Sequence, residues 1–376
     1  MLLAINWGVP EIVGMTIGCL IIACAFIIGL MFLLGFITFK NTFARPKVRT
    51  PEAHPLRSVL CPHGNEYAEK LEAAEKAFEE IPFEWISVQS EDGLKLSARY
   101  YKSEGAEKTV IGMHGFASNA VRDFALIAPH YLEKGYNVLL PAERGHGESE
   151  GQYTGLGVLE SKDIKVWVSE IIKIAPGTEI FIHGISIGAT AAALSVSDAL
   201  PNAVKGIIVD SAFTRIWDVM CFQIKELYKL TPFPILHIAE VFSKRLLKMG
   251  FHRERTIESV RQAEAPMLFI HGGKDKLAPV YMCEALYNAC TAPKAKFIAE
   301  SAGYAEALMM ETEGYIAAVD EFMSDPAPKA DETPKADEAP KADEAPKAET
   351  AEIGEAAESV EAAEEVTADE GAEGAE

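Results

Sequence analysis

Six short runs of continuous apolar sequence set the strongest limit on how this chain can fold. They are "TVIGMH" (109–114), "YNVLLP" (136–141), "EIFIHG" (179–184), "KGIIVD" (205–210), "PMLFIHG" (266–272) and "AKFIA" (295–299). Helical stretches separate most of them. A strand with one wet face alternates apolar with polar residues; a strand that is apolar throughout is covered on both faces. Such strands alternating with helices predict an α/β fold built on a parallel sheet. Ahead of them, "FEWISVQSEDGLKLSARYY" (83–101) places two alternating strands around a Glu-Asp-Gly turn, a hairpin signal. The interval 213–262 is too long for a single crossover and is rich in aromatics, Leu and Ile, so it reads as an inserted helical cap.

A second constraint lies near the N-terminus. From Ile12 to Phe39 there are 28 consecutive residues without a charge, whereas about 20 suffice to cross the hydrocarbon core. A single membrane-spanning helix is expected. A signal peptide fits less well, because no basic residue precedes the run and no small-x-small cleavage site follows it. Only Glu11 is charged just before the run, whereas Lys40, Arg45, Lys47 and Arg49 follow it. Positive residues stay inside, so the main domain is expected in the cytoplasm. Gly14 and Gly18 form a G-x-x-x-G pair that would suit a homodimer seam.

These features divide the chain into an anchor (1–39), a proline-bearing juxtamembrane linker with an amphipathic helix over 65–81 (together 40–82), a domain over 83–324, and a tail (325–376). The tail repeats "PKADET", "PKADEA", "PKADEA" and "PKAETA" and carries 18 acidic residues against 4 lysines, which accounts for most of the net charge of −21. It has almost no aromatic or β-branched residues, a composition that cannot bury enough surface to order itself. What precedes it is mildly acidic, which argues against nucleic acid as a partner. The six cysteines (19, 24, 61, 221, 283 and 290) show no CxxC spacing, so neither a disulfide framework nor a metal site is expected.

The chemistry-bearing motif is "HGISIG" (183–188), a G-x-S-x-G centred on Ser186 that follows the apolar strand "EIFI" and opens the small-residue helix "GATAAALSV". Strand, sharp turn and helix are the setting in which that motif presents a nucleophilic hydroxyl. "MHGFASN" (113–119) closes another strand and offers the Phe116 N–H to a developing oxyanion, with the Ile187 N–H as the second donor. "GGKDKLAPV" (272–280) ends a late strand with Asp275, where an acid that orients a histidine would stand.

With "SEDGLKLSARYY", "HGFASN", "ERGHGESEG", "HGISIGA", "DSAF" and "GGKDKLAP" in this order, the chain resembles the α/β-hydrolases from about Phe83 to Met323. It is most similar to membrane-anchored bacterial members related to serine aminopeptidases and esterases. The resemblance implies an α/β-hydrolase fold and hydrolysis of small ester, amide, thioester or peptide substrates through an acyl-enzyme, with no metal or cofactor. Two positions depart from the family pattern. Ala142 stands where relatives carry Asp before "ERGHG". More consequentially, Tyr304 in "ESAGYAEAL" occupies the slot where the resemblance implies the triad histidine, and no histidine follows His271. A phenol with a pKa near 10 is ionised about once in a thousand at pH 7, so it is a poor base. His114 is the nearest substitute; His146, His183 and His271 match structural histidines of the family, His237 and His252 lie in the cap, and His54, His63 and His130 have no reason to be close. Three readings stay open: a slow serine hydrolase, a pseudo-hydrolase serving as a membrane-tethered binding module, and a covalent trap that acylates but deacylates poorly.

Overall fold

The computed structural model describes residues 8–45, 64–253 and 255–326. The expected acidic repeat tail, from residue 327 onward, and most of the expected linker (46–63) lie outside these residues.

In chain order the elements are α1 (Val9–Phe43), α2 (Gly64–Glu79), β1 (Glu84–Gln89), β2 (Lys95–Tyr101), β3 (Lys108–Met113), α3 (Ala120–Phe124), α4 (Ala128–Glu133), β4 (Asn137–Ala142), α5 (Glu160–Ile174), β5 (Glu179–Ile185) and α6 (Ile187–Ser195). There follow β6 (Val204–Asp210), α7 (Ile216–Glu226), α8 (Ile235–Leu247), α9 (Thr256–Val260), β7 (Met267–Gly272), α10 (Tyr281–Ala289), β8 (Lys294–Ala299), α11 (Ala307–Met310) and α12 (Thr312–Ser324). The strands form one eight-stranded sheet in the order β1-β2-β4-β3-β5-β6-β7-β8. β2 pairs antiparallel with both β1 and β4, and every later pairing is parallel. Each continuous apolar run is a parallel strand, because helices cover both faces.

Two clusters of buried side chains fill those faces. On one, Ile111, Leu139, Ile182 and Ile207 meet Trp167 and Ile171 of α5 and the alanines of α6. On the other, Val110, Val138, Phe181 and Ile270 meet Phe124, Tyr131, Tyr315 and Phe322. Trp167 and Phe322 are almost wholly buried, and side chains of that size each contribute about 2–3 kcal/mol by burial. β-branched and aromatic residues fill the strands, and the small-residue helix α6 packs close to the sheet where larger side chains would hold it away.

α7 and α8 interrupt the β–α alternation between β6 and β7 and enclose a third apolar cluster, in which Phe213, Ile216, Met220, Leu236 and Phe251 pack with Ile187 of α6. α1 joins that cluster. The helix runs through Phe43, past the anchor boundary expected at Phe39, and Phe39 and Phe43 are fully buried against the cap. Beyond it the chain is docked rather than loose. Thr154 donates its N–H to Phe43 O (2.8 Å), Arg45 N–H reaches Gln152 O (2.7 Å), and the Arg45 guanidinium donates to Ser149 O (2.9 Å) and to Gly147 O. The expectation that an extended linker begins at residue 40 is corrected to this extent. The aromatic pair on the last turns of α1 buries too much apolar surface to stay in water. Val13–Phe43, with mean hydropathy 3.0 in its most apolar window, is long and apolar enough to cross a membrane.

Candidate active site

Ser186 sits on the turn from β5 to α6 with φ 58° and ψ −113°, a conformation that costs a non-glycine residue of order 1–3 kcal/mol. The surroundings enforce it. Ser186 N–H donates to Asp210 O at the end of β6 (2.8 Å), and Ser186 O accepts from Thr190 N–H (2.9 Å) in the first turn of α6. Both motif glycines are required by contact. A Cβ on Gly184 would stand 2.2 Å from Gly188 O, and one on Gly188 would stand 2.2 Å from Met113 O. The turn is therefore clamped between two strand ends, and the serine side chain is left at the carboxyl edge of the sheet.

The β3 loop lies against this elbow. A Cβ on Gly115 would come 3.4 Å from Ser186 Cβ, so the loop backbone approaches Ser186 closely. Asp123 holds the loop, accepting from Gly115 N–H (2.6 Å) and from Ser118 Oγ. Among the described residues the amides of Phe116 and Ile187 have no protein acceptor. Ile187 opens α6, whose first amides have no intrahelical carbonyl to reach.

Tyr304 reaches the same point from the other side. β7 ends at Gly272, where a Cβ would lie 2.1 Å from Gly303 O, so the loop after β8 packs directly on the strand end. That packing carries the Tyr304 side chain to the elbow, and its hydroxyl is hydrogen-bonded to Ser186 Oγ. Burial holds the Tyr304 phenol above its ordinary value; the bond to Ser186 works against it, and the carboxylates of Asp275, Asp123 and Asp210 add to the rise. The phenol stays protonated at neutral pH and has no capacity to remove the serine proton.

Asp275 makes no hydrogen bond to Tyr304. Its Oδ1 accepts from the N–H groups of Leu277 (2.7 Å) and Ala278 (3.0 Å). Its Oδ2 is buried without a hydrogen bond, 3.3 Å from His271 Nε2. Burial works against charge on His271, but the Asp275 carboxylate overrides it and pushes the imidazole up to about 10. An imidazolium has no lone pair to act as a base.

His114 is no substitute either. Its Nδ1 is 2.9 Å from Gly115 O and its Nε2 accepts from Glu143 N–H (3.1 Å), which fixes a neutral tautomer with both nitrogens used. Burial pulls it down to about 4. The other described imidazoles are committed elsewhere: His130 to Asp320, His146 to Arg144 O, His183 to Tyr131 and Tyr315, His252 to Glu240, while His237 packs against Trp217 and Phe233. Among the described residues no imidazole is bonded to Ser186 Oγ; His54 and His63 lie outside them. His114, Glu143 and His146 gather ligand-type atoms within 4.8 Å of one another. With both His114 nitrogens used, only Glu143 and His146 offer free lone pairs, fewer than the three protein ligands of a catalytic zinc.

Comparison with known proteins agrees with this geometry. The serine aminopeptidase (S33) signature matches residues 104–251, a span that holds the β3 loop, the elbow and both long helices of the cap. An uncharacterised Bacillus subtilis protein, YqkD, is 29% identical over 268 residues, covering 70% of this chain and 84% of its own length. An uncharacterised membrane protein of Saccharomyces cerevisiae is 26% identical over 216 residues, covering 57% of this chain and 71% of its own. Among solved structures, a Pyrococcus furiosus esterase superposes with a TM-score of 0.56 at 23% identity, covering 66% of this chain and 92% of its own. The chain has the α/β-hydrolase fold.

Within this fold two sets of polar residues escaped the sequence reading. One is Asp123, whose only signal was an acid a few residues beyond the β3 loop. The other is a buried relay under the elbow: Tyr131 OH to His183 Nδ1 (2.8 Å), His183 Nε2 to Tyr315 OH (3.0 Å), and Tyr315 OH donating to Asp210 Oδ2 (3.0 Å). Its members come from β5, β6, α4 and α12, so no local pattern announces it. Burial pushes Asp210 up to about 6 and His183 down to about 3. The "ERGHG" motif is structural here: buried Arg144 forks onto Asp163 (2.7 Å to each oxygen) and Asp92 (2.9 and 3.1 Å).

Proposed function

We propose that this protein is a membrane-anchored serine hydrolase for ester, amide or thioester bonds, working slowly. Ser186 is the nucleophile, and the N–H groups of Phe116 and Ile187 receive the oxyanion. The observation that carries this reading is the strained, clamped elbow with free amides beside it: strain kept at a serine hydroxyl is what acyl transfer uses. The Tyr304 hydroxyl in contact with Ser186 Oγ supports the slowness, since the serine proton has a neutral phenol where a base is needed. When a triad histidine is removed from subtilisin, turnover falls by about 10⁶, and roughly 10³–10⁴ over water remains from the oxyanion site and binding. α1 is the anchor in this reading, and the basic residues after it place the hydrolase domain on the cytoplasmic side.

A second reading, a binding module without turnover, is favoured by the same Tyr304–Ser186 bond. One assay separates the two. Ester hydrolysis is measured for the wild type, Ser186→Ala and Tyr304→His. The hydrolase reading expects wild-type turnover above the Ser186→Ala background. It also expects a gain of at least about 100-fold in Tyr304→His, because an imidazole at 304 supplies the base that the neutral phenol does not. Wild-type turnover equal to that of Ser186→Ala would favour the binding module.

A further inference from the structure

The apolar tip of the cap is unpartnered, and its position relative to α1 identifies what covers it. α1 and α8 lie side by side and run in the same direction. Gly35 of α1 faces the first turn of α8, where a Cβ would come 2.4 Å from Ile238 Cγ2 and 3.3 Å from Ile235 O. Further along both helices, the Phe36 and Phe39 rings meet Phe242, with centroids 5.1 and 6.2 Å apart. The residues that precede α8 therefore lie toward the N-terminal, apolar part of α1.

Those residues are the tip joining α7 to α8, "LYKLTPFP" (227–234). Tyr228, Leu230 and Phe233 are 56%, 57% and 64% exposed there, and Val241 on α8 is 56% exposed. Tyr228, Leu230 and Phe233, within six residues of one another, form a patch that water does not favour. Exposed Lys225, Glu226 and Lys229 flank it, with Lys229 Nζ 3.2 Å from Glu226 Oε2.

The level of the tip follows from helix geometry. Gly35 precedes Lys40, the first charge after the uncharged run, by about 7 Å of helix rise. The uncharged run is also longer than the roughly 20 residues that the hydrocarbon core holds. The first turn of α8, beside Gly35, thus stands at the membrane boundary, and the tip continues from it toward the hydrocarbon. An aromatic and aliphatic patch with Lys225 at its edge is the chemistry of an interfacial insertion, with that ammonium group at the phosphates.

The geometry points to a second membrane contact: the cap tip, through Tyr228, Leu230 and Phe233, inserts into the same bilayer that α1 crosses. The occupant of the patch is phospholipid, and the cap over Ser186 is held at the membrane surface. This inference rests on α1 being a membrane anchor, and its test keeps the two apart.

The full chain is reconstituted in phosphatidylcholine–phosphatidylglycerol vesicles containing a phospholipid with a diazirine on its acyl chain. After photolysis, lipid adducts are mapped by mass spectrometry. Adducts on both the α1 peptide and the peptide carrying 228–233 are expected. The Leu230→Asp/Phe233→Asp double variant should lose at least about tenfold of the tip adducts while keeping those on α1. Adducts on α1 with none on the tip would overturn the insertion and leave the anchor standing. Adducts on neither would overturn both. Tip labelling no stronger than on the exposed apolar pair Ile172 and Ile174 of α5, or a tip cross-linked to a second copy of the chain in place of lipid, would also overturn it.

Discussion

Ser186 and Tyr304 come from segments far apart in sequence, yet each is fixed by a backbone approach that tolerates no Cβ: Gly184 and Gly188 at the elbow, Gly272 under the Tyr304 loop. The reactive geometry is therefore imposed from outside the side chains, and a change of side chain at 304 alters the chemistry while leaving its place intact. Burial keeps the phenol neutral, and three carboxylates, Asp275, Asp123 and Asp210, add to it. One of them has a measurable signature. Asp210 is fully buried and titrates at about 6 in the folded chain against 3.8 as a free side chain. Between those values the folded state holds a proton that the unfolded state has released. Its contribution is thus complete below about pH 3.8 and is lost as pH rises through 6, about 3 kcal/mol in all. Asp210→Asn removes that loss, so the stability of the variant relative to wild type should rise from pH 4 to pH 6.5, as read by urea unfolding in detergent. A constant difference across that range would mean that Asp210 does not titrate there.

At the scale of elements, the parallel strands were legible in the sequence because burial on both faces leaves a continuous apolar run, and nothing else of that length does so. The elbow was legible because its glycines are dictated by contact: Gly188 sits 2.2 Å, at Cβ, from Met113 O of a neighbouring strand. Gly188→Ala should destabilise the chain by at least about 3 kcal/mol and abolish labelling of Ser186 by fluorophosphonate; a thermal transition within 2 °C or so of wild type would contradict this account of the motif. The Tyr131–His183–Tyr315–Asp210 relay and the docking of Arg45 were not legible. Their partners are brought together only by the sheet order, and a single tyrosine or arginine carries no periodic signal. Asp275 illustrates the difference. Its place at the end of β7 followed from the strand and its turn residues, but its pairing with His271 depends on side-chain packing that strand periodicity does not encode.

For the whole molecule, the end of α1, the cap and the elbow share one apolar cluster: Phe39 and Phe43 pack with Leu236 and Phe251, which pack with Ile187 beside the nucleophile. The end of α1 and the elbow are thus joined through one packed cluster. The proposed function, on this basis, is that of a hydrolase positioned by its anchor and limited by its missing base. The most direct measurement of that limit is the rate of fluorophosphonate labelling of Ser186 in the full chain as a function of pH. Without an imidazole base the wild-type rate should climb with hydroxide from pH 5 to 9 and show no inflection, whereas Tyr304→His should gain one near pH 6.5, the ordinary histidine value. An inflection near pH 6.5 in the wild type, lost on replacing any one of its own histidines, would contradict the account.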